Sequence, residues 1–582
     1  MKRISKTAIA AVIVALSLAV RSETTPGAEN AMPPFALAKL SIAKMGVFLD
    51  QNGAFANQIV PNAGPLAKVF LANILFKLPV DESLNFEGPA QIYFLAPLSF
   101  NATQETAMVL PVSDAEKLKK NIISVYGEPV DHEGAMVFAV PQPLPDPDKT
   151  LMVKVANGKA LLAPSVAVLA QLETAVAAAA GPVAGSSDAA FILSLPAIKK
   201  VYGSKIEEAL QAGAFLASES VDGLKKVSDQ LDGIIKTLWQ IDMIELRASF
   251  DKDSKNASVE LAITPLKETK LAAIFNNPPP GLDGNNSTLL ATGGPVNTAL
   301  RLNGDAVHHF YKQYAPPNQA ALDNLVRSLL SIFDGETVLS FDPARMVLLH
   351  AQRVADDAAA AKKADALQQT LSGISTLAVA DIEALPKDTV YSTVTETIQH
   401  RNTQITLRKF AVAKGAAKPV VQDSTGYFAD ASKPGLWLAG AGLKPEEAIK
   451  GLLDNAAGNP PVSAEQKAVF DAPAPGTLAF VSIKLLAILR TAAGEFLPEN
   501  VAPEQLVGGL SDAPISISVS MHGGSAALRV TLPGATAGSL YAVSGRLKRN
   551  GINVADMLGL NGRKNGAENK VPGNIPAPPP EK

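Results

Sequence analysis

The sequence predicts an α+β fold of two similar halves, each a largely antiparallel sheet covered by helices on one face, arising from an internal duplication. Three observations carry this. The stretch Pro89–Gly181 runs strand, strand, helix, strand, strand, helix. A diverged copy of that order returns over Gly335–Asn455. A proline- and glycine-rich segment, Asn276–Asn286, stands between them and cannot continue a helix or a central strand. The resulting repeat of roughly 250 residues is near the upper end for a single domain.

Within the first copy, Gln91–Leu95 and Thr106–Val112 are short runs rich in β-formers, read as strands with a buried face. Ser113-Asp-Ala-Glu116 has the capping-box spacing, so a helix starts there, turns Leu118, Ile122 and Val125 inward and ends at Gly127. Ala135–Val140 and Leu151–Val155 read as strands. Asn157-Gly158 marks a two-residue hairpin, because a type I′ turn needs positive φ at both positions. Ser165 opens an alanine-rich helix to about Ala180. In the second copy, Glu336–Phe341, Arg345–His350, the helix Ala355–Leu371, Gln404–Ala413, Tyr427–Gly440 with Lys433-Pro-Gly435 at its turn, and the helix Pro445–Leu453 take the same places.

The match extends outward. Ala189–Ser194 corresponds to Leu478–Ile483, Phe191 to Phe480, each run leading into a helix. Met243–Phe250 with Ala257–Thr264 forms a hairpin, as does Ile515–Met521 with Ala526–Thr531. Ahead of the first copy lie a strand at Ala36–Ile42, a loop, and a helix at Leu66–Phe76. Ahead of the second lie a strand at Thr288–Ala291 and a helix at Ala320–Phe333. Lys205–Gln240 is the longest helical stretch of the first half. Its Leu224, Val227, Leu231, Ile234 and Leu238 follow 3-4 spacing, which reads as the seam of a packed helix pair or as a partner interface.

The N-terminus begins Met1-Lys-Arg-Ile-Ser-Lys and continues with the apolar run Thr7–Val20, the design of a secretory signal peptide over residues 1–31. Left uncleaved, the same segment would be a membrane anchor. The halves then span 32–276 and 287–548, joined by the linker 277–286, and a proline-rich tail over 549–582 is expected to be disordered. The chain has no cysteine, which excludes disulfides, thiol catalysis and thiolate metal sites. A net charge of −3 gives no general attraction to nucleic acid, and an aromatic content of 5% argues against stacking platforms.

Candidate chemistry is sparse. His308 and Asp305 stand three residues apart, and His309 points about 100° away from His308 on a helix. His132-Glu133 and His400-Arg401 occupy comparable turns. Asp251–Asn256 lacks the glycine and glutamate of a calcium loop, and its counterpart His522-Gly-Gly524 has no carboxylate. Asp146-Pro-Asp148 reads as a proline-rich loop. No nucleophile elbow, H-E-x-x-H zinc motif, phosphate-binding loop or dinucleotide fingerprint occurs. No catalytic, cofactor or metal residue is therefore assigned.

The strand–strand–helix order, the run VLPVSDAEKLKKNI at Val109–Ile122 and EGAMVFAV at Glu133–Val140 resemble exported bacterial proteins classed as domains of unknown function, including some from planctomycete-type bacteria. The resemblance implies an exported, non-catalytic protein and carries no functional residues. The expected function is an envelope binding or scaffold protein that takes an apolar small molecule or a protein partner in a groove between sheet and helices. The competing expectations are an exported hydrolase, in which Asp305, His308, His132 and Glu133 converge, and a tethered structural protein.

Overall fold

A computed structural model describes residues 33, 36–76, 81–95, 106–139, 150–178, 189–217, 233–251, 255–284, 286–290, 294–314, 320–343, 346–381, 389–414, 420–421, 427–455, 470–496 and 501–550. The signal-like segment 1–31, Asp146 and Asp148, the seam positions Leu224, Val227 and Leu231, and tail residues 551–582 lie outside them.

The strands of the first half are β1 (Ala36–Ile42), β2 (Ala90–Leu95), β3 (Thr106–Pro111), β4 (Val130–His132), β5 (Ala135–Ala139), β6 (Thr150–Ala156), β7 (Lys159–Ala163), β8 (Ala189–Ser194), β9 (Ile241–Asp251) and β10 (Asn256–Pro265). Those of the second are β11 (Val296–Leu302), β12 (Gly335–Asp342), β13 (Val347–Arg353), β14 (Thr389–His400), β15 (Thr403–Lys414), β16 (Val420–Val421), β17 (Tyr427–Lys433), β18 (Leu436–Gly442), β19 (Thr477–Ile483), β20 (Ile515–His522) and β21 (Ser525–Pro533). Helices α1 (Met45–Ile59) and α2 (Gly64–Phe76) join β1 to β2. Then α3 (Ala115–Tyr126) follows β3, α4 (Val166–Ala178) follows β7, α5 (Leu195–Ala217) follows β8 and α6 (Lys270–Asn276) follows β10. In the second half, α7 (Gly304–Tyr314) and α8 (Ala320–Phe333) join β11 to β12. After them, α9 (Asp357–Asp381) follows β13, α10 (Pro445–Asn455) follows β18, α11 (Leu485–Phe496) and α12 (Pro503–Val507) follow β19, and α13 (Gly534–Arg549) follows β21.

All these strands belong to one antiparallel sheet. Pairing runs β4-β5-β6-β7-β3-β2-β1-β8-β9-β10 and then crosses to β21-β20-β19-β11-β12-β13-β18-β17-β15-β14. The short β16 lies on the same edge of β15 as β17. The crossing is the β10–β21 ladder, in register from Asn256↔Pro533 to Ile263↔Ala526.

Helices cover both faces, not one. Met108 and Leu110 pack with Leu118 and Ile122 of α3 and with Met45 and Phe48 of α1. Their neighbours Ala107 and Val109 pack with Leu169 and Leu172 of α4. Because successive strand residues point to opposite faces, α3 and α4 lie on opposite sides. In the second half α8 and α9 cover one face and α10 the other. The unbroken apolar run AMVL (Ala107–Leu110) is what a strand buried on both faces requires.

Local signals formed as expected at several places. Asn157 (φ 52°) and Gly158 (φ 70°) make the hairpin turn, and Gly127 (φ 87°) ends α3. The α3 cap, however, is Asp114, which accepts from Lys117 N at 2.9 Å, and Val125 is exposed. Of the expected strand Thr288–Ala291, the described residues Thr288–Leu290 are not in a strand, and Ala291 lies outside the described residues. A 3-10 turn covers Asn286–Leu289, because Asp471 accepts from the Ser287 amide (2.9 Å) and hydroxyl (2.8 Å) and so replaces a strand ladder. The expected loop after β1 holds α1, whose Met45, Phe48, Leu49 and Phe55 are buried. β14 was not assigned from sequence. In the long helical stretch, Ile234 is exposed and Ile235 is buried, so the 3-4 stripe is not the packed one there; Leu238 is half-buried. Phe191 and Phe480 also face opposite ways. Phe191 aligns across the sheet with Leu246, Leu261, Leu528, Val519 and Ala479, and Phe480 packs instead with Phe470 under α10.

The connecting segment is tied to the second half near its C-terminal end. Leu282 donates its amide to Thr477 O (2.7 Å), and Asp283 N donates to Glu336 (2.9 Å). Arg301 bridges Asp283 and Glu336.

At the β10–β21 junction, Glu260 sits opposite Arg529. Arg529 pairs with Glu260 at 2.5 Å, while Arg247 reaches Glu260 (3.2 Å) and Glu245 (2.7 Å). Replacing Glu260 with Ala leaves two guanidinium groups short of a partner. Chemical denaturation should show a loss of about 2–3 kcal/mol, below the fully buried range because the side chains keep some exposure. A Glu260→Ala/Arg529→Ala cycle should show coupling of about 1 kcal/mol, and additive losses would remove the pair from the junction's stability.

Candidate functional site

Two regions of the sheet are not packed like the rest. The first is the centre. On one face of β9, β10, β21 and β20, adjacent rows read Ile244, Ile263, Ala526, Met521; Leu246, Leu261, Leu528, Val519; and Ala248, Val259, Val530, Ile517. A fourth row, Phe250, Ala257 and Leu532, is covered by Phe55 of α1 and Ala537 of α13. Beyond that cover the apolar surface opens: Leu528 is 40% and Val519 36% exposed, and most of their neighbours are half-buried. The opposite face is polar, with Ser249, Ser258, Thr531 and Ser516 in one row and Arg247, Glu260, Arg529 and Ser518 in the next.

The second region lies beneath α8 and α9. The hairpins β6–β7 and β17–β18 hold the same place in the strand order, with Asn157-Gly158 and Pro434-Gly435 at their turns. Carrying the register outward sets Ala160 against Trp437, Val153 against Asp430, Met108 against His350, Leu110 against Gln352, and Phe138 against Arg408. The five first-half residues all belong to one apolar core. Their second-half counterparts are mostly polar and all buried.

This polar group is only partly satisfied. His350 Nε2 lies 3.4 Å from Thr337 Oγ1. Phe333 stacks on the imidazole at 5.2 Å, and Trp437 meets it edge-on at 5.0 Å. Gln352 donates to the Asp334 carbonyl. Arg408 forms an ion pair with Asp430 and donates Nε to Gln368 of α9 at 2.9 Å. Among the described residues, Gln352 Oε1, Trp437 Nε1 and Thr370 Oγ1 are buried without a hydrogen-bond partner. Lys363 of α9 donates to the carbonyls of Ser331, Ile332 and Asp334, tying α9 to the end of α8. Burial lowers the His350 pKa to about 3, with the Lys363 charge adding to the shift, so the ring is neutral at physiological pH.

Elsewhere, Lys39 is buried with its ammonium 5.8 Å from the Tyr93 ring centroid. Desolvation lowers the lysine and pushes the Tyr93 hydroxyl up to about 12.

The residues singled out from sequence do not meet. His132 and Glu133 are exposed at the β4–β5 turn, at one edge of the sheet. His308 lies in α7, beyond the junction, and pairs with Asp323 at 2.8 Å; Asp305 is exposed. The side chain of His309 lies outside the described residues. His400 (2.8 Å) and Arg401 (2.9 Å) both bind Asp454 at the end of α10, which is a turn-to-helix tie. No cluster of three metal-ligating side chains occurs among the described residues. The residues missed from sequence carried one signal: His350 ends a run read as a strand, and Gln352 follows two residues on, at the spacing of one strand face.

No protein-family model matches the chain, and no curated protein sequence is similar to it. A solved structure titled "Structure of crystal form I of TP0453" aligns with 45% of this chain and 98% of its own, at 7% identity and a TM-score of 0.19. A likeness at that level carries no argument about fold or function.

His350 sets a pH dependence. Its folded pKa lies below the unfolded value of 6.5, so the unfolded chain binds the extra proton between these values. The contribution to stability is full above pH 6.5 and is lost as the pH falls toward 3, on the order of 5 kcal/mol in all. His350→Met, which installs the first-half residue, should flatten the stability–pH curve between pH 6 and 4 in urea melts. An unchanged slope would place the acid sensitivity elsewhere.

Proposed function

We propose that this chain is an exported, non-catalytic binding protein of the bacterial envelope, and that it takes an apolar partner on the open face of its central strands. The observation that carries this reading is the apolar grid around Leu246, Leu261, Leu528 and Val519, which stays partly exposed beside α1 and α13. Contiguous apolar surface left partly exposed can mark an interaction site. Its position fits a groove between sheet and helices. The partner is an apolar small molecule or the apolar segment of a protein. The basic and apolar N-terminus supports export, and no helix among the described residues is long and apolar enough to cross a membrane.

We also infer an internal duplication. Its support is the order of strands read inward from each edge: β5-β6-β7-β3-β2-β1-β8-β9-β10 on one side and β15-β17-β18-β13-β12-β11-β19-β20-β21 on the other. The binding face then lies where the two copies meet, shared equally between them.

Leu528→Glu tests the reading. Titration with an anilinonaphthalene sulfonate dye should give saturable binding to the wild-type protein and at least tenfold weaker binding to the variant, with unchanged far-UV circular dichroism. Equal binding by both would move the apolar site away from the central strands.

A further inference from the structure

We propose that the polar cluster beneath α9 is a binding site for a small uncharged molecule that presents a hydrogen-bond donor and an acceptor side by side, as a lactam or cis-amide does. Gln352 and Trp437 are direct cross-strand partners on β13 and β18. Gln352 offers a carbonyl acceptor at Oε1, which lies near the His350 ring but makes no hydrogen bond of good geometry, and Trp437 offers an N–H donor at Nε1 with no partner. They are 3% and 0% exposed, so bulk solvent does not satisfy them. Thr370 of α9, 4% exposed, adds a hydroxyl that can donate or accept. Buried polar atoms in native proteins are nearly always paired, and an orphan points to a water, ion or ligand. Orphans on two directly paired residues and a third on α9 are therefore informative; Arg408 Nη1 and Asp430 Oδ1, which pair through charge, have no well-formed hydrogen bond either.

Two further observations set the chemistry. Phe333, His350 and Trp437 present aromatic surfaces, which suit a flat molecule. The charges are internally balanced, since Arg408 pairs with Asp430, and the imidazole is neutral. Such a lining has no net charge to offer an ion. The fold itself does not require this polarity, because Leu110, Ala160 and Met108 fill the corresponding places in the first half with an apolar core. The site is separate from the central apolar face and stands or falls independently of it.

Trp437 supplies the readout. The chain has two tryptophans, and the other, Trp239, hydrogen-bonds Glu207 in the first half. Trp239→Phe therefore leaves Trp437 as the sole indole reporter. Adding 2-pyrrolidone, which carries N–H and C=O in cis, should shift its emission saturably. N-Methyl-2-pyrrolidone, which cannot donate to Gln352 Oε1, should give no saturable shift. Gln352→Leu in the same background should weaken the 2-pyrrolidone response at least tenfold. No shift, equal shifts with both lactams, or an undiminished response in Gln352→Leu would overturn the proposal and leave the three atoms to ordered water.

Discussion

The architecture depends on the ladder between β10 and β21. A sheet half ending at β10 would present a row of unpaired amides and carbonyls flanked by apolar side chains, a template for aggregation. A half ending at β21 would do the same. Pairing each with the other removes both edges at once, and the Glu245–Arg247–Glu260–Arg529 network fixes their register from the polar face. The edges that remain are of another kind. β4 is three residues long and exposed, and β14 is rich in threonine with polar residues at its tip, so neither offers a long apolar strand. The same junction leaves its second face apolar and only partly covered, so cohesion and the candidate binding surface arise from one set of strands.

Local elements were legible in the sequence because their signals are local. Asn157-Gly158 demands positive φ wherever it occurs, and Thr106–Val112 has few alternatives to a buried strand. Context decided the failures. The segment after β1 reads as a loop, yet it forms α1, where Gly53 allows α2 to approach at Gly64 and Lys68 and the buried Met45 and Phe48 offset the weak propensity. Thr288 reads as the start of a strand until Asp471, far along the chain, captures the amide of Ser287 beside it. The match of Phe191 to Phe480 slipped by one residue, and in a strand that exchanges the two faces.

The polar layer under α9 was out of reach for the same reason. His350 and Gln352 lie in one strand, Asp430 and Trp437 in two others, and Thr370 on a helix. Only the register of β13, β18 and β17 gathers them. Setting that register beside β3, β7 and β6 makes the contrast visible: one backbone layout supports an apolar core in one half and a neutral, hydrogen-bonding layer in the other. The first version shows what the fold needs for stability, so the second carries information about something else.

The junction also orders events in time. Asn256 and Pro533 are direct partners, yet they are separated by most of the second half of the chain. Contacts of such sequence separation form late, because a long loop must close before they return any free energy. β21 is the last strand of the sheet. The first half therefore keeps an open edge at β10 until β21 has been made. A chain released short of β21 would hold that edge open permanently, so quality control of truncated products matters more for this protein than for one whose sheet closes on neighbours in sequence.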